Sequence, residues 1–104
     1  MMARKKRQVR LAHPGEILNE EFLKPLAMTV NALAMALHVP GNRLYAVVDG
    51  VRGISPDTAL RLGRYFGTGP EFWVNLQAHY ELESTKEDLE EEIERQVQPR
   101  DRAA

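Results

Sequence analysis

Asn42 and Arg43 stand side by side, and they are two residue types that recognise nucleobases through paired hydrogen bonds, asparagine on adenine and arginine on guanine. Ala46, one turn on, is small enough to admit a close approach to a base edge or to touch a thymine methyl. Arg52 can reach a phosphate, and Thr29 with Asn31 can offer backbone and side-chain donors to another. Other chemistry finds less support. The chain has no cysteine, so disulfides, thiolate metal sites and cysteine nucleophiles are excluded. His13, His38 and His79 occur in no metal-binding spacing, and neither a P-loop nor a G-x-S-x-G segment is present. A binding protein with no cofactor and no metal is expected, and not an enzyme.

Presenting those side chains requires a scaffold, and the 104 residues suffice for one compact domain with one modest core. Apolar spacing and punctuation divide it into helices. His13-Pro14-Gly15-Glu16 opens the first, which carries Ile17, Leu18 and Phe22 up to a break near Pro25. Thr29 caps the second, where Val30, Leu33, Ala34 and Leu37 recur at i, i+3, i+4 and i+7. His38-Val39-Pro40-Gly41 breaks the chain briefly, and Leu44, Val47 and Val48 form the inner face of a third helix ending at Asp49-Gly50. Ser55-Pro56-Asp57 starts a fourth, with Ala59, Leu62, Gly63 and Phe66 inward, and Gly67 stops it. Thr68-Gly69-Pro70-Glu71 opens a fifth carrying Phe72, Trp73, Leu76 and Tyr80. Almost nothing alternates with period two, so the fold is expected to be all-α.

The second and third helices, short and joined by a turn of about three or four residues, match a helix-turn-helix, whose second helix enters the DNA major groove. With Leu44, Val47 and Val48 inward, the 100° step per residue turns Asn42, Ala46 and Asp49 outward and leaves Arg43 and Tyr45 on the flanks. Asn42 and Arg43 also fall in the first turn, the part of a recognition helix that reaches base edges. Tyr45, like Thr29, Asn31 and Arg52, is placed to contact the phosphate backbone.

Charge is segregated along the chain. Residues 1–10 hold five bases and no acid, residues 11–82 five bases and seven acids, and residues 83–104 four bases and eight acids, within a net charge of −1. The sequence thus divides into a basic arm (1–12), a helix-turn-helix domain (13–82) and an acidic tail (83–104). In the tail, Ser84-Thr85-Lys86-Glu87 fits a capping box for a separate helix bearing the apolar stripe Leu89, Ile93 and Val97. No apolar run is long enough to span a bilayer, and no secretory signal follows the basic arm; a cytoplasmic protein without membrane contact is expected.

From His13 to about Leu82 the sequence resembles the HigA/VapI-type antitoxins of the Xre (Cro/C1-like) helix-turn-helix family. The resemblance rests on His13-Pro14-Gly15-Glu16-Ile17-Leu18, Asn31-Ala32-Leu33-Ala34, Val39-Pro40-Gly41-Asn42-Arg43, Gly50-Val51-Arg52-Gly53-Ile54-Ser55, Asp57-Thr58-Ala59-Leu60-Arg61-Leu62 and Phe72-Trp73-Val74-Asn75-Leu76-Gln77. It implies a five-helix Cro/C1-repressor-like (lambda repressor-like) domain with a helical C-terminal extension. It further implies an antitoxin that neutralises a RelE/HigB-like ribonuclease and, as a homodimer on double-stranded operator DNA, represses its own operon. Base reading then falls to Gly41, Asn42, Arg43 and Ala46, although many members carry a larger polar residue where Gly41 stands. A stand-alone repressor without a toxin would present the same reading face, and a pure protein-interaction module is a third possibility. Phe72 and Trp73 are neighbours that cannot fill one pocket. The dimer is expected through the fifth helix, at Trp73, Leu76 and Tyr80, and the toxin at Leu89, Ile93 and Val97.

Overall fold

The computed structural model describes residues 11–101; all but the last two residues of the basic arm lie outside them. The described residues form helices and loops without strands. In α1 (Pro14–Ile17), proline occupies the first turn and the His13 ring accepts the Gly15 N–H at Nδ1, 2.9 Å away, capping the helix. The chain then runs directly into a π-helical stretch, Leu18–Leu23. The Lys24 N–H donates to the Asn19 carbonyl, five residues back, at 2.9 Å. Widening the turn aligns Leu18 with Leu23, and both are fully buried. The apolar spacing of Ile17, Leu18 and Phe22 predicts an ordinary helix here.

Four further helices follow: α2 (Val30–Leu37), α3 (Gly41–Val48), α4 (Pro56–Phe66) and α5 (Pro70–Gln96). Thr29 Oγ1 accepts the Ala32 N–H at 3.0 Å and starts α2. His38, at φ 60°, ends α2 in the left-handed conformation usually given to glycine. Gly67, at φ 74°, ends α4 in the same way.

Leu33 and Leu37 of α2, Leu44 and Val47 of α3, Leu62 of α4 and Trp73 of α5 meet Leu18 and Leu23 in a single core. Gly15 lets α1 lie directly on α3, since a methyl group there would strike the Val47 carbonyl. The Ile54 N–H donates to Gln77 Oε1 at 2.8 Å, which fastens the loop after α3 to α5.

Two expectations are corrected. Trp73 is 0% exposed while Phe72 is 40% exposed, so the tryptophan closes the core and is withdrawn from any dimer surface. The indole donates to Thr68 Oγ1 at 2.9 Å, and the Phe22 ring packs 5.0 Å from it, centroid to centroid. Leu76 packs partly buried against the same core, and Tyr80 sits edge-on to His13 at 4.9 Å. Trp73, Leu76, Gln77 and Tyr80 follow i, i+3, i+4 and i+7, the spacing of an inward face. The second correction concerns the tail: α5 is one helix of 27 residues, and Ser84 and Thr85 lie inside it rather than capping a new one. No glycine or proline separates Leu82 from Glu87, and serine or threonine inside a helix costs only about 0.5 kcal/mol, too little to break it.

Candidate nucleic-acid interface

Asn42 projects outward from the first turn of α3, and its neighbour Arg43 lies at the edge of the same turn with 24% of its side chain exposed. Ala46, one turn on, is half-buried, and Tyr45 is exposed on the flank. The α3 surface is thus arranged as its spacing predicts, polar and small side chains outward with Leu44 and Val47 in the core.

Beside it, α2 presents its N-terminus. The Thr29 hydroxyl is occupied as the acceptor of the helix cap and keeps its own O–H to donate. Asn31 lies against Gly41: a Cβ at position 41 would come within 3.2 Å of Asn31 Oδ1. The glycine therefore leaves room for the asparagine, and a Cβ there would require Asn31 to shift by a few tenths of an ångström. On the far side, the Ala46 carbonyl accepts the Val51 N–H at 2.9 Å and the Arg52 N–H at 3.1 Å. Those bonds wrap the loop onto the last turn of α3 and hold exposed Arg52 beside it.

The structure adds a feature that the sequence reading missed. Asp57, in the first turn of α4, accepts Arg43 Nη1 at 2.7 Å and Arg61 Nε at 2.8 Å, both on Oδ1. Arg61 Nη1 in turn donates to the Leu37 carbonyl at the end of α2, at 2.8 Å. Hydrogen bonds from Arg61 and then Arg43 hold the Asp57 carboxyl below the usual aspartate range. The Asp57–Arg61 pair is readable as i, i+4 on a helix, but the link to Arg43 joins residues fourteen apart and has no local signal. The positive charge of Arg43 and Arg61 is accordingly part-neutralised within the chain, which leaves Arg52 and Arg64 as the exposed arginines near α3 and α4.

No cluster of histidine, aspartate or glutamate among the described residues could hold a metal ion. Among them, no helix is long and apolar enough to cross a membrane.

No family model matches the chain. It is 48% identical over 83 residues to Virulence-associated protein I of Dichelobacter nodosus, covering 80% of this chain and 77% of that one. It is 37% identical over 78 residues to Antitoxin HigA-1 of Vibrio cholerae, covering 75% and 73%. Among solved structures, the Pseudomonas aeruginosa antitoxin HigA with the higBA promoter matches at a TM-score of 0.85 and 44% identity, over 88% of this chain and 99% of that chain. An all-α helix-turn-helix domain with these relatives defines the class, an Xre-type DNA-binding regulator. The chain belongs to the HigA/VapI antitoxin family.

Proposed function

We propose that this chain is a DNA-binding antitoxin: a homodimer that binds double-stranded operator DNA, represses its own operon and neutralises a cognate RelE/HigB-like ribonuclease. The observation that supports it best is the outward first turn of α3, where Asn42 and Arg43 stand between the α2 start and Arg52. In this reading Gly41, Asn42, Arg43 and Ala46 face the bases. Thr29, Asn31, Tyr45 and Arg52 hold the phosphates. Arg43→Ala is expected to cost about 1–3 kcal/mol on the operator and to relax base preference at one position. Arg52→Ala is expected to weaken all sequences alike and to flatten the dependence on salt by about one phosphate contact. Titration of the duplex upstream of the gene, at several salt concentrations, measures both. Unchanged affinity in Arg43→Ala would contradict the reading.

For the dimer, the outward side of α4 and α5 is better placed than the face built on Trp73. Pro56 and Leu60 on α4, with Pro70, Val74 and Ala78 on α5, recur at intervals of four and form adjoining stripes. Leu60 is 62% exposed and Val74 42%. They border the clefts that run between the two helices, one of which reaches Gly53 and Ile54 just beyond α3. A two-fold dimer is expected to read half-sites about 34–36 Å apart or at a multiple of that spacing. Leu60→Glu is expected to raise the dimer dissociation constant by at least about tenfold, equivalent to roughly 1.4 kcal/mol, without unfolding the monomer. Analytical ultracentrifugation with circular dichroism would show it, and an unaffected dimer would place the contact elsewhere.

A further inference from the structure

Arg43 does not sit free on the surface. Its guanidinium is bonded to the Asp57 carboxylate, which is bonded to Arg61, which is bonded to the last carbonyl of α2. The chain of bonds joins both helices of the helix-turn-helix through two residues of α4, Asp57 and Arg61, that are not part of the core. Asp57 is itself exposed, with 55% of its side chain accessible. An exposed ion pair adds little to stability, so folding alone gives this arrangement a weak reason. Its geometric effect is larger. Arg43 has a long side chain with several rotamers, and a guanidinium that must meet a base edge at two points loses affinity if it has to be collected from all of them. Asp57 engages Nη1 only, leaving the other donors of the fork unclaimed by it.

We propose that Asp57 is a positioning residue for sequence reading: its carboxylate fixes the Arg43 guanidinium, and Arg61 fixes the carboxylate. This rests on Arg43 reading a base as set out above. The carboxylate also acts against the alternative use of Arg43. Without it, the arginine is free to swing to the nearest phosphate, a contact that carries no sequence information. Asp57 therefore lowers binding to arbitrary sequence and raises the contrast between the operator and other DNA.

The opposite signs of those two effects distinguish positioning from simple structural support. With Asp57→Ala, affinity for an arbitrary duplex is expected to rise about two- to tenfold at low salt, because one negative charge leaves the interface and one arginine becomes available to phosphate. The slope of log affinity against log salt on that duplex should steepen by about 0.9, the value of one further phosphate contact. Discrimination at the base read by Arg43, measured by selection from a randomised duplex pool, should fall by about fivefold or more. Asp57→Asn keeps an oxygen acceptor without the charge and should fall between the two. In the Arg43→Ala background, Asp57→Ala should leave base preference unchanged.

Three outcomes overturn the proposal. If Arg43→Ala loses discrimination but Asp57→Ala alters neither discrimination nor salt slope, Arg43 reads a base without help and the positioning role fails alone. If Arg43→Ala itself leaves base preference intact, the underlying reading of α3 fails as well. Thermal melts of each variant identify any loss that comes from unfolding, and a drop in binding to all sequences in step with stability counts against positioning.

Discussion

At the scale of single residues, His13 shows how one side chain can carry a fold and a pH dependence together. Its Nδ1 accepts the Gly15 N–H, its ring meets Tyr80 of α5, and burial lowers its pKa against the opposing pull of Glu16. Well above pH 6.5 the ring is neutral in both folded and unfolded chains, so it confers no pH dependence there. As the pH falls, the unfolded chain binds the proton first, and stability therefore declines through the range below 6.5. The protonated ring also loses its Nδ1 acceptor and with it the cap on α1. His13→Asn supplies a capping oxygen that does not titrate, and is expected to flatten the decline in melting temperature between pH 7 and 5. An equal decline in both proteins would show that His13 is not its source. Asp57, whose pKa is lowered by its two arginines, acts separately: its contribution is present above about pH 4 and disappears as the pH falls below that value.

Among the elements, what could be read in advance follows the range of the interactions involved. The starts of α2 and α4 were legible because Thr29 and Ser55 announce themselves, and both side chains do accept the third N–H beyond them. The inner face of α3 followed from apolar spacing alone. The π-helical stretch was not legible, because Ile17, Leu18 and Phe22 fit an α-helix, and only the burial of Leu23 beside Leu18 in the core selects the wider turn. The burial of Trp73 is not legible for a related reason: adjacent aromatics exclude one another from a pocket, but which of them enters depends on Phe22 and Phe66, distant in sequence. The outward α3 residues were legible one by one, whereas the bond from Arg43 to Asp57 required the fold. Close approach gives a test at this scale. Gly15→Ala drives a methyl into the Val47 carbonyl, so α1 must back away from α3. A loss of about 1–3 kcal/mol is expected in chemical denaturation. Because the contact lies on the inner side of α3, away from Asn42, operator affinity of the folded fraction should change far less than stability does.

Taken whole, the molecule places its candidate DNA surface at one end of a single core and extends α5 beyond that core, through 27 residues or about 40 Å. A ribonuclease that grips RNA must carry a basic surface, so its inhibitor is expected to offer acids together with apolar anchors. The far part of α5 does so. Residues 83–104 hold eight acids against four bases, and Leu89 and Ile93 are 42% and 45% exposed on the same helix. Val97, expected to continue the stripe, lies just past the last turn in extended conformation, though its N–H still donates to the Ile93 carbonyl at 2.8 Å. The rival surface is the first helical segment, with Glu16, Glu20 and Glu21 near Ile17; acids are paired within the chain on both surfaces, Glu20 with Lys24 at 2.8 Å and Glu83 with Lys86 at 3.6 Å. Truncation after Leu82 would remove the acidic stripe but cut through a continuous helix, so a double substitution, Leu89→Glu with Ile93→Glu, is the cleaner companion. Neither position belongs to the core or to the face that adjoins α3, and leucine to glutamate keeps helix propensity nearly constant. Both variants are therefore expected to bind operator normally and to capture the cognate toxin at least about tenfold more weakly. Pull-down of the toxin and rescue of growth against it measure this alongside operator titration. Full neutralisation by both variants would move the capture surface to the Glu16–Glu21 side of the molecule, and a gene with no toxin reading frame beside it would favour a lone repressor.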